Sequence, residues 1–299
     1  MNFPIVSRHF PKNKKKINPK FNLRLAAPSR VVSKKLKIML FTNARDEPHI
    51  KEWASHHLLL GFDIIYIFDH KSNSPIKNEF TNFKNRVIVE RCEMENPVKM
   101  PLMNRAAKIA KSAGADWFIY LDADEFIILN SYPNIKIMIL SFPRATSIAL
   151  NWIYFGTNNH ITEPKGLILE NYTKSETHLD IHVKTFVKTK FVIKSGGPHF
   201  YVMQPGSLMV DINHQRMNPY EMMFNRWKVE YSKTPAYIAH YVYQSEESYF
   251  NRKLKIPRDD NGIMREKIQE LHKMHNDVTN MDPANKYAFL VKEFLNKIG

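Results

Sequence analysis

The chain has 299 residues, 43% of them hydrophobic, which is enough apolar material for one large domain or two small ones and excludes a wholly disordered protein. The 44 Lys and Arg residues exceed the 29 Asp and Glu residues, giving a formal net charge of +15. The single cysteine, Cys92, excludes an internal disulfide and a disulfide-stapled secreted module, and no group of Cys and His has zinc-finger spacing.

The basic excess lies at the start of the chain. Eleven Lys and Arg residues and no acidic residue fall between Met1 and Lys37, so the remaining 33 basic residues face 29 acidic ones. We interpret residues 1–36 as a basic flexible tail, for which an anionic membrane surface, an acidic partner and nucleic acid stay open. Nucleic acid is the least favoured, because the body of the protein is close to balanced in charge.

The apolar runs are short. None approaches the roughly 20 residues that a membrane-spanning helix needs, and no signal-peptide core follows the basic start. We therefore expect a cytoplasmic protein without a transmembrane segment. Its basic tail would bind at most to the surface of a membrane.

Strand and helix patterns alternate after the tail. The predicted elements are, in chain order, a strand at 36–42, a helix ending at Gly61, strands at 64–68 and 86–89, a helix at about 101–113 and a strand at 117–121. Within the first helix, Ile50, Trp53, His57 and Leu60 form an apolar stripe suited to packing on a sheet. This alternation predicts an α/β fold with parallel strands.

The second half of the chain is predicted to contain first short strands and then helices. Short strands are predicted at 147–152, 182–187 and 191–193, and helical, charged segments at 246–255, 264–275 and 283–297. We predict one α/β domain over 37–245, with a helical region at 246–299 packed on it as a C-terminal extension.

Polar side chains follow three of the predicted strands. Asp122 and Asp124 come directly after an apolar strand, and on extended backbone residues two apart point the same way, so their carboxylates are expected to converge. Asp69 ends another strand, where it would bind a ribose or base edge, and residues 43–47 open a helix whose N-terminus suits a phosphate. Open α/β sheets bind ligands at this edge, and clustered carboxylates suit Mn²⁺ or Mg²⁺ bridging a diphosphate. A polar turn without a metal stays open as the alternative.

These motifs together resemble the GT-A nucleotide-sugar glycosyltransferases, and within them glycosyltransferase family 92 and related members of family 2. The resemblance covers residues 37–255, and the matching segments are 42–47, Glu52–Trp53, His56–His57, 66–69, 117–126, Asn151–Trp152, Phe155–Gly156, 182–185, 239–241, Ser245, Phe250 and Lys253. It implies a GT-A, Rossmann-like mixed sheet flanked by helices.

The resemblance also implies an activity. It implies a hexosyltransferase-type enzyme that moves a sugar from a nucleotide-sugar, a UDP-sugar, to a hydroxyl of a glycan, lipid-linked or protein acceptor, with inversion at the anomeric carbon. A Mn²⁺ (or Mg²⁺) ion held by Asp122, Asp124 and His240 would stabilise the leaving diphosphate. The residues that we assign to the nucleotide-sugar are Arg45, Glu47, Asp69, Asp122, Lys184 and Lys253.

Inversion needs a base for the acceptor proton. We take Glu163, in the polar loop after Phe155-Gly156, as the first candidate. Glu170, Asp180 and Asp211 are the alternatives, and the sequence does not decide between the four.

Two other functions stay open. A metal-dependent nucleotidyltransferase or other phosphoryl-transfer enzyme shares the paired Asp and the α/β sheet. Such an enzyme is expected to have a Gly-rich phosphate-binding loop, and the nine glycines of this sequence form none. A nucleic-acid-binding protein acting through the basic tail is the second alternative.

Overall fold

The computed structural model describes residues 36–226 and 229–298, so the predicted basic tail lies outside the described residues except for Leu36. The strands are β1 (Ile38–Ala44), β2 (Ile64–His70), β3 (Val87–Cys92), β4 (Trp117–Tyr120), β5 (Glu125–Leu129), β6 (Ser147–Tyr154), β7 (Lys174–Ser175), β8 (Val183–Lys188), β9 (Val192–Gly197), β10 (Phe200–Met203), β11 (Met209–Asp211), β12 (Arg216–Met217), β13 (Ala236–His240) and β14 (Val278–Thr279). The α-helices are α1 (Ile50–Leu60), α2 (Lys99–Ser112), α3 (Ile135–Leu140), α4 (Ile168–Asn171), α5 (Glu246–Asn251) and α6 (Phe289–Ile298). Other helical segments lie at Ile76–Arg86, Thr189–Phe191, Tyr231–Lys233, Lys253–Lys255, Leu271–Lys273 and Ala284–Ala288.

The main sheet has the strand order β12, β11, β6, β8, β4, β1, β2, β3. Strand β1 pairs in parallel with β2 and β4, so that Met39 is in register with Ile64 on one side and Phe118 on the other. Strand β8 lies between β4 and β6 and runs antiparallel to both, which makes the sheet mixed. Strand β13 joins β6 in parallel and β5 in antiparallel orientation. The predicted α/β fold, a mixed sheet flanked by helices, is confirmed.

Helix α1 lies on the sheet through the predicted stripe, whose four residues are all buried. The Trp53 indole is fully buried and donates a hydrogen bond from Nε1 to the Glu125 carbonyl over 2.8 Å. The helix ends at Gly61, whose φ of +104° is a left-handed conformation that a side chain would strain. Local periodicity and one glycine thus position the helix that supports β5.

The C-terminal region differs in part from its prediction. Ser245 caps helix α5, because its hydroxyl accepts a hydrogen bond from the Ser248 backbone N–H. Helix α6 packs near α1, and its Phe294 ring lies 6.0 Å from the ring of Phe83 in the Ile76–Arg86 segment. The helix expected at 264–275 is wrong, because only Leu271–Lys273 forms a helical turn. Four residues of this segment, Met264, Arg265, Glu266 and Ile268, instead line a cavity. Among the described helices, none is long and apolar enough to cross a membrane.

Buried histidines on α1 make the stability depend on pH. Burial lowers the pKa of His56 to about 4, although the Ile127 carbonyl, 2.8 Å from Nε2, opposes this. The unfolded state, with a histidine pKa near 6.5, therefore binds more protons, so the free energy of unfolding falls as the pH drops from about 6.5 towards 4. We expect His56 alone to contribute a loss of about 2 kcal/mol between pH 7.5 and pH 5.0 in urea unfolding.

The matched variant is His56→Gln, which keeps a donor for the Ile127 carbonyl but does not titrate. Its stability should depend less on pH by that same amount. If the variant and the wild type lose equal stability between the two pH values, His56 is not the group responsible.

Candidate functional site

A cavity of about 770 Å³ lies at the carboxyl ends of β1, β2, β4, β6 and β13. Parallel strands end at the same edge of a sheet, and this brings polar residues from distant parts of the sequence together. The predicted site residues that line the cavity are Arg45, Glu47, Asp122, Asp124, Lys184, His240 and Lys253. Asp69 and Glu163 are not among its lining residues.

Asp122 and Asp124 lie in a turn between β4 and β5, where the Glu125 N–H donates to the Asp122 carbonyl over 3.1 Å. The expectation of extended backbone at these two residues is therefore wrong. Their carboxylates have different partners: Lys99 and Lys184 bind Asp122, and Lys253 binds Asp124. The paired Asp motif is thus the centre of a cluster of charges, in which Lys99, Lys184 and Asp124 are buried and Asp122 is partly exposed.

Lys99, at the start of α2, is a residue of this cluster that sequence reasoning missed. It is 2% exposed, and its Nζ contacts Asp122 and lies 3.2 Å from Asp259 Oδ2 and 3.4 Å from Asn43 Oδ1. Tyr120 donates from its hydroxyl to the same Asn43 oxygen over 2.9 Å. No local motif marks Lys99, because its role depends on a contact with Asp259, 160 residues further along.

Lys99, Asp122 and Asp124 are ionised at neutral pH. Burial by itself lowers the pKa of Lys99, but the carboxylates of Asp122 and Asp259 raise it well above its usual value. Burial likewise raises the pKa of Asp122, but Lys184 and Lys99 hold it well below its usual range. In Asp124 burial is outweighed by Lys253 and His240, which lower its pKa. The cavity floor therefore carries alternating fixed charges.

The predicted metal ligands form only part of a metal site. His240 Nε2 lies 3.5 Å from Asp124 Oδ1, and within the described residues neither this Oδ1 nor His240 Nδ1 has a hydrogen-bond partner. Both oxygens of Asp122, however, are bound by lysines. Across residues 36–226 and 229–298, no three His, Cys, Asp or Glu side chains come together as a metal ion requires. The residues present do not fit a three-ligand site, and we derive no step through a metal.

One wall of the cavity is aromatic. The Trp152 ring lies 4.4 Å from the His240 ring and 5.1 Å from the His182 ring, and the Tyr154 ring stacks on His240 at 5.3 Å. The Lys184 Nζ lies 5.5 Å above the Trp152 ring. These rings pack on one another and form an aromatic wall next to the charged floor.

Asp69 has a structural role in this structure. It is 1% exposed, and its carboxylate accepts hydrogen bonds from the backbone N–H groups of Ser72 (3.2 Å) and Ile76 (3.1 Å) and contacts Arg91 at 3.3 Å. Strand β2 continues past Asp69 to His70, and it is His70 that lines the cavity. Alternation along the strand explains the difference, because neighbouring residues point to opposite faces.

Glu163 lies in a second pocket of about 480 Å³ beside the cavity. Its two oxygens are used by His49 (3.3 Å), Tyr172 (3.1 Å to each) and Ser245 (2.6 Å). Although burial raises the pKa of Glu163, these hydrogen bonds lower it below the usual value. A carboxylate with its oxygens occupied and a lowered pKa is a weak base, so the geometry does not favour the predicted role.

No protein-family model matches the sequence, and a search of curated proteins finds no match. Solved structures with some similarity include S. aureus TarS (residues 1–349) in complex with UDP, at 13% identity and a TM-score of 0.34 over 52% of this chain and 48% of that chain. A second TarS structure has 13% identity and a TM-score of 0.36 over 72% and 62%, and a cytidylyltransferase from Leptospira borgpetersenii has 15% identity and a TM-score of 0.28 over 52% and 61%. The chain thus covers less than two thirds of each. Similarity at this level does not decide a family or an activity.

Proposed function

We propose that the protein is a glycosyltransferase that moves a sugar from a nucleotide-sugar, specifically a UDP-sugar, to a hydroxyl acceptor with inversion at the anomeric carbon. The observation that carries this proposal is the cluster at the cavity floor. Three ammonium groups, from Lys99, Lys184 and Lys253, surround the paired Asp122 and Asp124 at the carboxyl edge of parallel strands.

The cluster supplies what a diphosphate leaving group needs. As the bond to the sugar breaks, negative charge develops on the diphosphate, and fixed positive groups at the cavity floor stabilise it. Lys99 is 2% and Lys184 1% exposed, so these charges are held in place by the fold. Arg45, Arg252 and Arg258 also line the cavity, where they add positive charge.

The rest of the cavity suits the other parts of the ligands. A volume of about 770 Å³ is within the range that holds a ligand of this size. The Trp152 and Tyr154 rings line the same cavity beside the charged floor. The acceptor itself, whether a glycan, a lipid-linked sugar or a protein hydroxyl, stays a proposal, as does attachment to an anionic membrane through the basic tail.

The test is a donor screen. The full chain is incubated with UDP-, GDP- and dTDP-sugars, and the nucleotide freed by slow hydrolysis is measured with Mn²⁺, with Mg²⁺ and with EDTA. We expect release from a UDP-sugar, and a loss of at least about 100-fold in the variant Asp122→Ala, Asp124→Ala. The same screen tests the sequence-based prediction of a Mn²⁺ (or Mg²⁺) ion in the site. If the reaction requires this ion, EDTA abolishes release.

The matched control is Asp277→Ala, which removes an exposed carboxylate that does not line the cavity. This variant should release nucleotide at the wild-type rate. Absence of both release and nucleotide binding would contradict the proposal. Production of inorganic diphosphate from a nucleoside triphosphate would indicate a nucleotidyltransferase instead.

A further inference from the structure

Three histidines in the described residues bind a carboxylate through Nδ1. The pairs are His182 with Asp180 at 2.5 Å, His272 with Glu246 at 2.6 Å and His275 with Glu176 at 2.8 Å. Of these three histidines, His182 lines the cavity, and His272 and His275 do not. The position of His182 therefore needs an explanation that the other two pairs do not.

The Asp180–His182 pair is held rigidly beside the aromatic wall. The Asp180 Oδ1 that contacts the ring also accepts a hydrogen bond from the His182 backbone N–H over 2.9 Å. The Asp180 N–H donates to the Trp152 carbonyl over 2.7 Å, and the Asn151 side chain donates to the Asp180 carbonyl over 2.8 Å. The carboxylate is thus fixed to strand β6 before any ligand arrives.

The imidazole ring is fixed as well. It stacks on Trp152 at 5.1 Å with an interplanar angle of 20°, and the Phe224 ring lies edge-on to it at 4.9 Å. Because Nδ1 donates to Asp180, Nε2 is the unprotonated nitrogen of this tautomer. Within residues 36–226 and 229–298, Nε2 makes no hydrogen bond, and the side chain is 32% exposed. Nε2 is thus available to a hydroxyl in the cavity.

We propose that His182 is the catalytic base that takes the proton of the acceptor hydroxyl, and that Asp180 is the positioning residue that orients it. This inference rests on the proposed function and names the base that the transfer requires. It replaces Glu163, whose oxygens are bound outside the cavity, and it gives Asp180 a role through His182 rather than a direct one.

The step is a single displacement. The acceptor oxygen forms a bond to the anomeric carbon of the nucleotide-sugar while the bond from that carbon to the diphosphate oxygen breaks. The nucleoside diphosphate leaves with the electron pair, and the acceptor proton moves to His182 Nε2. Asp180 stabilises the imidazolium that forms, and the proton then passes to water.

Three titratable groups lie near the His182 ring. They are Asp180, Lys184 two residues along the chain, and His199, whose ring lies 5.5 Å away. Burial and Lys184 lower the pKa of His199 to about 3, so it is neutral at pH 7. Burial raises the pKa of Asp180, but the hydrogen bonds from His182 lower it below its usual value, so it is a carboxylate.

The experiment uses the UDP-sugar hydrolysis assay, in which water replaces the acceptor, together with UDP binding measured by calorimetry. We expect His182→Ala to lower nucleotide release by about 100-fold or more while UDP binding changes less than about threefold. Added imidazole should restore part of the rate, because the variant leaves a ring-sized slot between Trp152 and Phe224. Asp180→Asn should lower nucleotide release while UDP binding changes less than about threefold, since the ring keeps its place but loses the carboxylate that stabilises the imidazolium.

The matched control is His272→Ala, which removes a ring with a similar carboxylate contact and 27% exposure outside the cavity. It should release nucleotide at the wild-type rate and show no response to imidazole. If His182→Ala is as active as the wild type, or is slower and folded by circular dichroism but not rescued by imidazole, the base assignment is overturned while the proposed function stands. If the wild type neither binds UDP nor releases nucleotide, both are overturned.

Discussion

Replacing Lys184 by methionine is expected to lower nucleotide release about 1000-fold and to destabilise the fold by about 3 to 5 kcal/mol. The Lys184 side chain is 1% exposed, and its ammonium lies 3.1 Å from Asp122 Oδ2 and 3.5 Å from Glu125 Oε1. Removing it takes away a charge assigned to the diphosphate and leaves the buried Glu125 carboxylate and the partly exposed Asp122 carboxylate with less compensation. The loss of stability should be smaller at low pH, because burial raises the pKa of Glu125 and the variant can protonate it.

Lys188→Met is the matched control for this variant. Lys188 lies four residues further along β8, with its ammonium 5.6 Å above the Trp117 ring, and it does not line the cavity. We expect near wild-type release and a loss of stability below about 1 kcal/mol, the size of an exposed cation–π contact. Release is compared at a temperature at which both variants are folded by circular dichroism. Equal losses of activity in the two variants would contradict a specific role for Lys184.

Trp53→Ala is expected to reduce the free energy of unfolding by about 3 to 5 kcal/mol, the cost of removing a large buried aromatic side chain. Trp53 is fully buried and binds the Glu125 carbonyl through its indole N–H. Glu125 begins β5 directly after Asp124, so the variant should also loosen the turn that holds the paired carboxylates. Urea unfolding at pH 7.5 measures the first effect, and nucleotide release the second.

Two further variants separate packing from hydrogen bonding at this position. Trp53→Phe keeps an aromatic ring but leaves the Glu125 carbonyl without its partner, and it should cost less than Trp53→Ala. Ile137→Ala, at a side chain that is 46% exposed on α3, should change stability by no more than about 0.5 kcal/mol. A loss below 1 kcal/mol in Trp53→Ala would show that α1 does not depend on this contact.

Much of the fold was predictable from short-range patterns. The stripe on α1, the end of that helix at Gly61 and the apolar strands β1, β2 and β4 all follow from which residues must be buried on one face of a helix or strand. The prediction failed for 264–275: its charged residues are compatible with a helix, but its first part lines the cavity without helical structure and only Leu271–Lys273 forms a helical turn. Apolar periodicity predicts a helix that packs through one face, and residues 264–275 do not pack in that way.

The candidate site was predictable only in part. The sequence brings Asp122 and Asp124 to the edge of the sheet, since both follow a parallel strand directly. It does not show the turn they adopt, and it assigned Asp69 to the ligand although its oxygens cap the backbone after β2. A carboxylate at a strand end looks the same in sequence whether it faces the cavity or the neighbouring turn. One step along the strand decides between these two faces.

Local sequence patterns are enough to predict the α/β class, the main elements and the strand ends at which polar residues gather, because burial patterns act over a few residues. Which distant groups meet at those strand ends depends on the tertiary fold. Lys99 and Asp259 are separated by 160 residues, and Lys253 and Asp124 by 129. Asp180 and His182 lie two residues apart in the sequence. Only the position of Trp152 on the neighbouring strand shows that the His182 ring faces the cavity. Contacts of this range depend on strand order and loop paths, which no local pattern encodes.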